Sequence, residues 1–185
     1  MRSAAFLFVL GVWLGSTSVV VGVVAWNFAG IPHAMHANPR LAERAQLAPD
    51  ADRDTRRASP IFVFAGELNR AIIATWNRSQ LVLAALALLF AGIAGARLWP
   101  LLPLTCATII VIALTFFLAP EIERRGRELD FVPRTEVARD EEFATFDSLH
   151  SAYVRVEGAK TLLLLAAVVL HFWSARRRTE DTEGR

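Results

Sequence analysis

The sequence predicts an all-α integral membrane protein: a four-helix bundle whose helices 2, 3 and 4 extend beyond the bilayer on one side. Three observations carry this expectation. Apolar residues make up 54% of the 185, against 21% charged, and mean hydropathy is +0.38. Soluble domains sit lower in apolar content and nearer a quarter charged. The charge is also unevenly placed. No Asp, Glu, Lys or Arg occurs from Ser3 to Pro39, from Ser79 to Ala96, or from Leu98 to Pro120. Finally, the tryptophans cluster at the ends of these runs, as expected at membrane–water interfaces. This pattern excludes a disordered chain, a disulfide scaffold and an ordinary soluble enzyme.

Each span follows from length. A membrane-crossing helix needs about 20 predominantly apolar residues. Residues 4–26, 78–96 and 98–119 meet this directly. The last run, Thr161 to Ala175, reaches full length only from about Val156, giving 156–175 and drawing Glu157 and Lys160 to the membrane edge. The first run follows Met1-Arg2 but exceeds the usual 7–15-residue core of a signal peptide, so a retained helix is expected. Trp26 and Trp76 then mark the interface on the side of the long connections, and Trp99 and Trp173 the opposite one, while Trp13 falls mid-span.

Helix 2 is expected to start well before its apolar run. Ser59-Pro60 is a good N-cap and first-turn pair, and no breaker follows up to Ala96. A helix of that length is roughly 55 Å long, well beyond the ~30 Å hydrocarbon layer. Helix 3 starts with Pro100 and Pro103 in its first turn and runs past Pro120 through Glu121–Arg127. Helix 4 reads from Glu136, with Phe143, Phe146, His150, Tyr153, Glu157 and Lys160 at spacings of 3 and 4, one helical face. Residues 1–178 form one domain that includes a mobile surface loop at 39–58, and 179–185 form a disordered tail. Val132-Pro133-Arg134 is the turn between helices 3 and 4.

Two small-residue patterns predict close helix packing: Gly11/Gly15, and Ala87/Ala91/Gly95. Either serves packing within the chain or a homodimer or other membrane protein. The lipid bilayer is the expected partner. The net charge of +2 contains no basic tract, so no nucleic acid is expected. Cys106, the only cysteine, lies in an apolar run and reads as a packing residue. Basic residues are more numerous on the side of the long connections, whereas Arg176-Arg177-Arg178 directly after helix 4 has the form of a cytoplasmic stop. The two signals oppose, so orientation stays open.

Several segments resemble the transmembrane-protein-205-like family of domains of unknown function. They are GVWLGS in helix 1, AGELNRAIIATWNRSQ leading into helix 2, APEIERRGRELDFVPR after helix 3, and FATFDSLHSAYVRVEGAK leading into helix 4. The most specific parts are Arg127-x-x-Asp130-Phe131-x-x-Arg134 and Leu149-His150-Ser151-x-Tyr153. Helix 1 departs from the family pattern by ending in Trp-Asn-Phe-Ala-Gly-Ile-Pro. The resemblance implies a small four-helix integral membrane protein, and no established activity.

Candidate chemistry concentrates where the long connections meet the helices. His150, Tyr153, Glu157, Glu67 and Arg70 are the expected ligand-binding residues. They supply hydrogen-bonding and charged groups on faces that should pack, where ionisable side chains are costly and often functional. His33, His36 and His150 are the candidate metal ligands, His33 and His36 in the corner that follows helix 1. The competing reading is a polar network that closes the mouth of the bundle. His171 lies near the far interface beside Trp173, and with no second axial His or Met at matching depth haem is disfavoured. No catalytic residue and no cofactor is predicted, a metal ion excepted.

Three functions are open: a structural or accessory membrane protein without catalysis of its own; a small-molecule or metal-binding membrane protein with a polar pocket at the mouth of the bundle; and a membrane oxidoreductase acting on a lipid-soluble substrate. The expected location is a bacterial plasma membrane.

Overall fold

The computed structural model describes residues 2–38, 40, 59–94, 98–132 and 139–183. Almost all of these are helical, and no strand occurs among them. There are four long helices: α1 (Arg2–Ala37), α2 (Pro60–Ile93), α3 (Leu98–Glu128) and α4 (Asp140–Glu183). Each is long and apolar enough to cross a membrane. The expected 39–58 loop and the Val132-Pro133-Arg134 turn fall almost wholly outside the described residues, as does Gly95.

The ends follow local chemistry. The carbonyl of Ser59 accepts from the backbone N–H of Phe62 (3.0 Å) and Val63 (3.1 Å), starting α2 at Pro60. The first helix runs further than its apolar content suggests: α1 continues to Ala37, so His33 and His36 lie in its last turns and not in a loop. No residue between the apolar run and Ala37 carries a charge, and even Pro32 lies within the helical span. At the other end, α4 continues to Glu183.

Prolines shape α3. Pro103 sits one turn deeper than expected, inside the helix and buried together with Pro100. Pro120 has no N–H for the carbonyl of Phe116, and its ring crowds that carbonyl. The helix widens into a π segment, Leu114–Leu118, immediately before it. The chain then resumes α-helix at Ala119 and ends at Glu128. Phe131, three residues on, adopts φ 65°.

The chain divides into two compact units. One comprises Met1–Thr17, Asn77–Phe116 and Tyr153–Arg185, the other Ser18–Trp76 and Phe117–Ala152. In the first unit the core is apolar and dense: Phe6, Leu10, Ala84, Ala87, Ala91, Leu104, Val111, Leu164 and Ala167 are fully or almost fully buried. Ala87 and Ala91 are thus enclosed within this unit, whereas Gly11 and Gly15 face outward, and a Cβ added at either would meet nothing within 4 Å. His171 packs against Phe6 with ring centroids 4.9 Å apart. Thr17, Thr108, Thr161 and Ser174 return their hydroxyl protons to the carbonyl four residues earlier, which keeps these polar groups satisfied inside apolar helices.

In the second unit, Asn27 Nδ2 donates to Asn69 Oδ1 (2.6 Å), and Asn69 Nδ2 donates to the Val24 carbonyl (3.3 Å). These bonds set the register of α1 on α2. Trp26 adjoins Asn27, but Trp76 lies seven residues beyond Asn69, about 10 Å along the helix axis. The two tryptophans therefore do not share a level, because polar asparagine pairing, and not the ends of apolar runs, sets the offset.

Candidate functional site

The first unit holds a buried polar cluster centred on Gln80, which is 0% exposed. Its carbonyl Oε1 accepts from Trp13 Nε1 (3.1 Å) and from the Lys160 ammonium. Its amide Nε2 donates to Asn77 Oδ1 (3.3 Å) and to Glu157 Oε1 (3.2 Å). All four hydrogen-bonding positions of this side chain are filled. Lys160, also 0% exposed, forms an ion pair with the Glu157 carboxylate, whose side chain is 13% exposed. Tyr153 donates its hydroxyl proton to Asn77 Oδ1 (3.0 Å), with Glu157 Oε1 a longer alternative at 3.5 Å. Thr115, in the π segment, bonds the Val111 carbonyl (2.7 Å) and approaches the Asn77 carbonyl (3.4 Å).

This arrangement draws on all four helices, α3 through Thr115. On α4, Tyr153, Glu157 and Lys160 lie along one face, so their mutual proximity is local. On α2, Asn77 and Gln80 are three apart and face the same way. On α1, the Trp13 indole N–H finds an acceptor inside the unit, as buried indoles do.

A second cluster lies in the other unit. Arg70 pairs with Asp130 (2.5 Å) and Glu67 (3.2 Å), and Glu67 also accepts from Arg127 (3.0 Å). Arg127 pairs further with Glu123 (2.8 Å), and the neighbouring Arg124 and Arg125 share Glu121. Most of these charges are well exposed and contribute little individually. The Arg70–Asp130 pair is the enclosed one. Burial pushes the Asp130 carboxyl above its ordinary value, and the Arg70 guanidinium only partly offsets this. Gly126 fits under this pair. A Cβ there would lie 3.0 Å from Arg70 Nη1 and 3.2 Å from the Phe146 ring.

The expected ligand-binding residues are divided between the two units. Tyr153 and Glu157 belong to the Gln80 cluster of the first unit. Glu67 and Arg70 belong to the ion-pair cluster of the second. His150, also in the second unit, is exposed and stacks on Phe146, with centroids 6.2 Å apart and planes 16° apart. Among the candidate metal ligands His33 is exposed, and the His36 side chain lies outside the described residues. Among the described residues, no three His, Cys, Asp or Glu side chains gather as a metal site.

Three members of the Gln80 cluster escaped the sequence reading. Asn77 directly precedes the 78–96 span, Gln80 lies inside that apolar run, and Trp13 falls mid-span in the first. The available signal was a lone amide among aliphatic residues, which needs partners wherever it is buried.

These features define a helical chain with four potential membrane spans and an internal charged cluster. No protein-family model, curated protein or solved structure matches the chain, so no family is assigned.

Proposed function

We propose that this chain is a multi-pass integral membrane protein with a structural or accessory role and no catalysis of its own. It is a four-helix bundle with α2, α3 and α4 extending beyond the bilayer on one side, as the resemblance to the transmembrane-protein-205-like family also implies. The observation that carries this reading is that the charged groups of the Gln80 cluster are spent on one another. Lys160, Glu157 and the hub Gln80 are mutually bonded, which leaves no free nucleophile or base within the cluster.

An accessory role needs a partner, and α1 offers a face for one. Gly11 and Gly15 are open, bordered by exposed Phe8 (72%) and Val12 (39%), and α1 carries no charge from Ser3 onward. Small residues allow membrane helices to approach closely. The occupant of this face is a second copy of the chain. The test is cross-linking of Gly15→Cys, in a Cys106→Ser background, after reconstitution into bilayers. Dimers that form through residue 15 and weaken in Gly11→Leu support the reading. A chain that stays monomeric at every protein-to-lipid ratio, or that turns over a substrate, overturns it.

The alternative, a membrane protein that binds a small molecule through polar residues, is favoured by one observation: a buried amide N–H of Asn77 that the cluster leaves unused.

A further inference from the structure

The donors and acceptors around Gln80 can be counted without ambiguity. Trp13 Nε1 and Lys160 Nζ can only donate, so the Gln80 atom that meets both must be its carbonyl oxygen. Its amide nitrogen then points at Asn77 and Glu157. A nitrogen of Asn77 facing that amide would set donor against donor, so Asn77 must present Oδ1 there. Oδ1 also receives the Tyr153 hydroxyl. The orientation of Asn77 is therefore forced, and its Nδ2 is turned away. Asn77 is 1% exposed, and Nδ2 has no hydrogen-bond partner among the described residues. Buried amide N–H groups are rarely left so.

We propose that Asn77 Nδ2 is a binding point for a neutral oxygen acceptor that is no part of the chain. Neutrality follows from the neighbouring charges. Lys160 and Glu157 already compensate each other, so an anion would stand beside the Glu157 carboxylate without a new counter-charge, and an N–H donor holds no cation. Two sources supply such an oxygen: an internal water, and the carbonyl of a lipid-soluble ketone or quinone. Tyr153 and Glu157, both only partly buried, form the more open flank of the cluster.

The sequence has four asparagines, at 27, 38, 69 and 77. Protein labelled with 15N at asparagine and placed in lipid nanodiscs should give four side-chain NH2 signals, that of Asn77 identified by its loss in Asn77→Asp. Should that variant fail to fold, Asn27→Asp, Asn38→Asp and Asn69→Asp assign the fourth signal by elimination. A magnetisation-transfer contact between the Asn77 NH2 and water supports the water arm. Absence of that contact, with a shift of the Asn77 signal on adding a decyl-substituted benzoquinone and no shift at Asn69, supports the carbonyl arm. An NH2 signal with neither response overturns the proposal, as does one showing coupling across a hydrogen bond to a protein carbonyl. Neither overturning result bears on dimerisation through α1.

Discussion

Removing one member of the Lys160–Glu157 pair should be costly, and the cost should depend on pH in opposite senses for the two partners. Lys160 is fully buried and the Glu157 side chain is 13% exposed, and losing one partner of a buried pair typically costs about 3–5 kcal/mol. In Glu157→Gln, the ammonium keeps its hydrogen bonds but loses its counter-charge. The penalty is limited by the alternative of losing the proton. For an ordinary lysine at pH 7 that alternative costs about 4.6 kcal/mol, and at pH 9 about 1.9 kcal/mol. In Lys160→Met, the carboxylate is stranded, and protonating an ordinary glutamate costs about 3.7 kcal/mol at pH 7 but only about 1 kcal/mol at pH 5. Glu157→Gln should therefore recover stability as pH rises, and Lys160→Met as pH falls. The double variant should be less destabilised than the sum of the singles. At roughly 2–4 °C per kcal/mol for a chain of this size, Glu157→Gln should lose about 6–18 °C and Lys160→Met about 6–15 °C at pH 7. Thermal unfolding in detergent between pH 5 and 9 measures all of this. Two single variants with flat, parallel pH profiles would refute the ion-pair reasoning, as would strict additivity.

Four further outcomes follow from other parts of the molecule. Because burial raises the Asp130 carboxyl, the folded state binds its proton more tightly than the unfolded chain, so this group's contribution to stability is fullest at acid pH and declines from about pH 4 upward through the raised value. The melting temperature of wild type minus that of Asp130→Asn should accordingly decrease across that window, and an increase would contradict the assignment. Phe131 holds φ 65° while 60% exposed, so Phe131→Gly should be neutral or stabilising by up to about 1 kcal/mol in thermal unfolding. Gly158 is exposed with nothing within 4 Å of an added Cβ, whereas Gly126 is crowded. Gly158→Ala should thus gain about 1 kcal/mol, while Gly126→Ala should lose about 1 kcal/mol or more once crowding outweighs the helix preference, the two compared by the same melts. Gln80→Leu should disrupt the contact of α1 with α2 in the first unit, detected as loss of a disulfide engineered between them near Trp13 and Gln80. An unchanged cross-link would show that apolar packing alone holds that register.

How much of this was legible depended on sequence distance. The four helices were readable because charge-free runs and the Ser59-Pro60 pair are local signals. So was the Tyr153–Glu157–Lys160 face, since spacings of 3 and 4 place residues together on one helix whatever the fold. The Gln80 cluster was not. Trp13 and Gln80 lie 67 positions apart, and Lys160 and Gln80 lie 80 apart, and an apolar run gives no register by which to pair them. Trp13, mid-span in the sequence, meets Gln80 for the same non-local reason.

That difference bears on what the buried cluster is for. Between apolar helices in a bilayer, hydrophobic force provides little discrimination, since lipid tails are as apolar as leucine. A helix rich in Ala, Leu and Val can slide by a turn against its neighbour at modest cost. Gln80 removes that freedom. Its two acceptor positions are filled from α1 and α4, and its donors are filled from α2 and α4. A shift of one turn, about 5.4 Å, would unmake several of these bonds at once and strand the Lys160 charge. The ion pair alone adds little net stability over well-packed apolar residues, so its value lies in the single arrangement it permits. The same demand that every neighbour point one way fixes the orientation of Asn77 and turns its N–H away from the network.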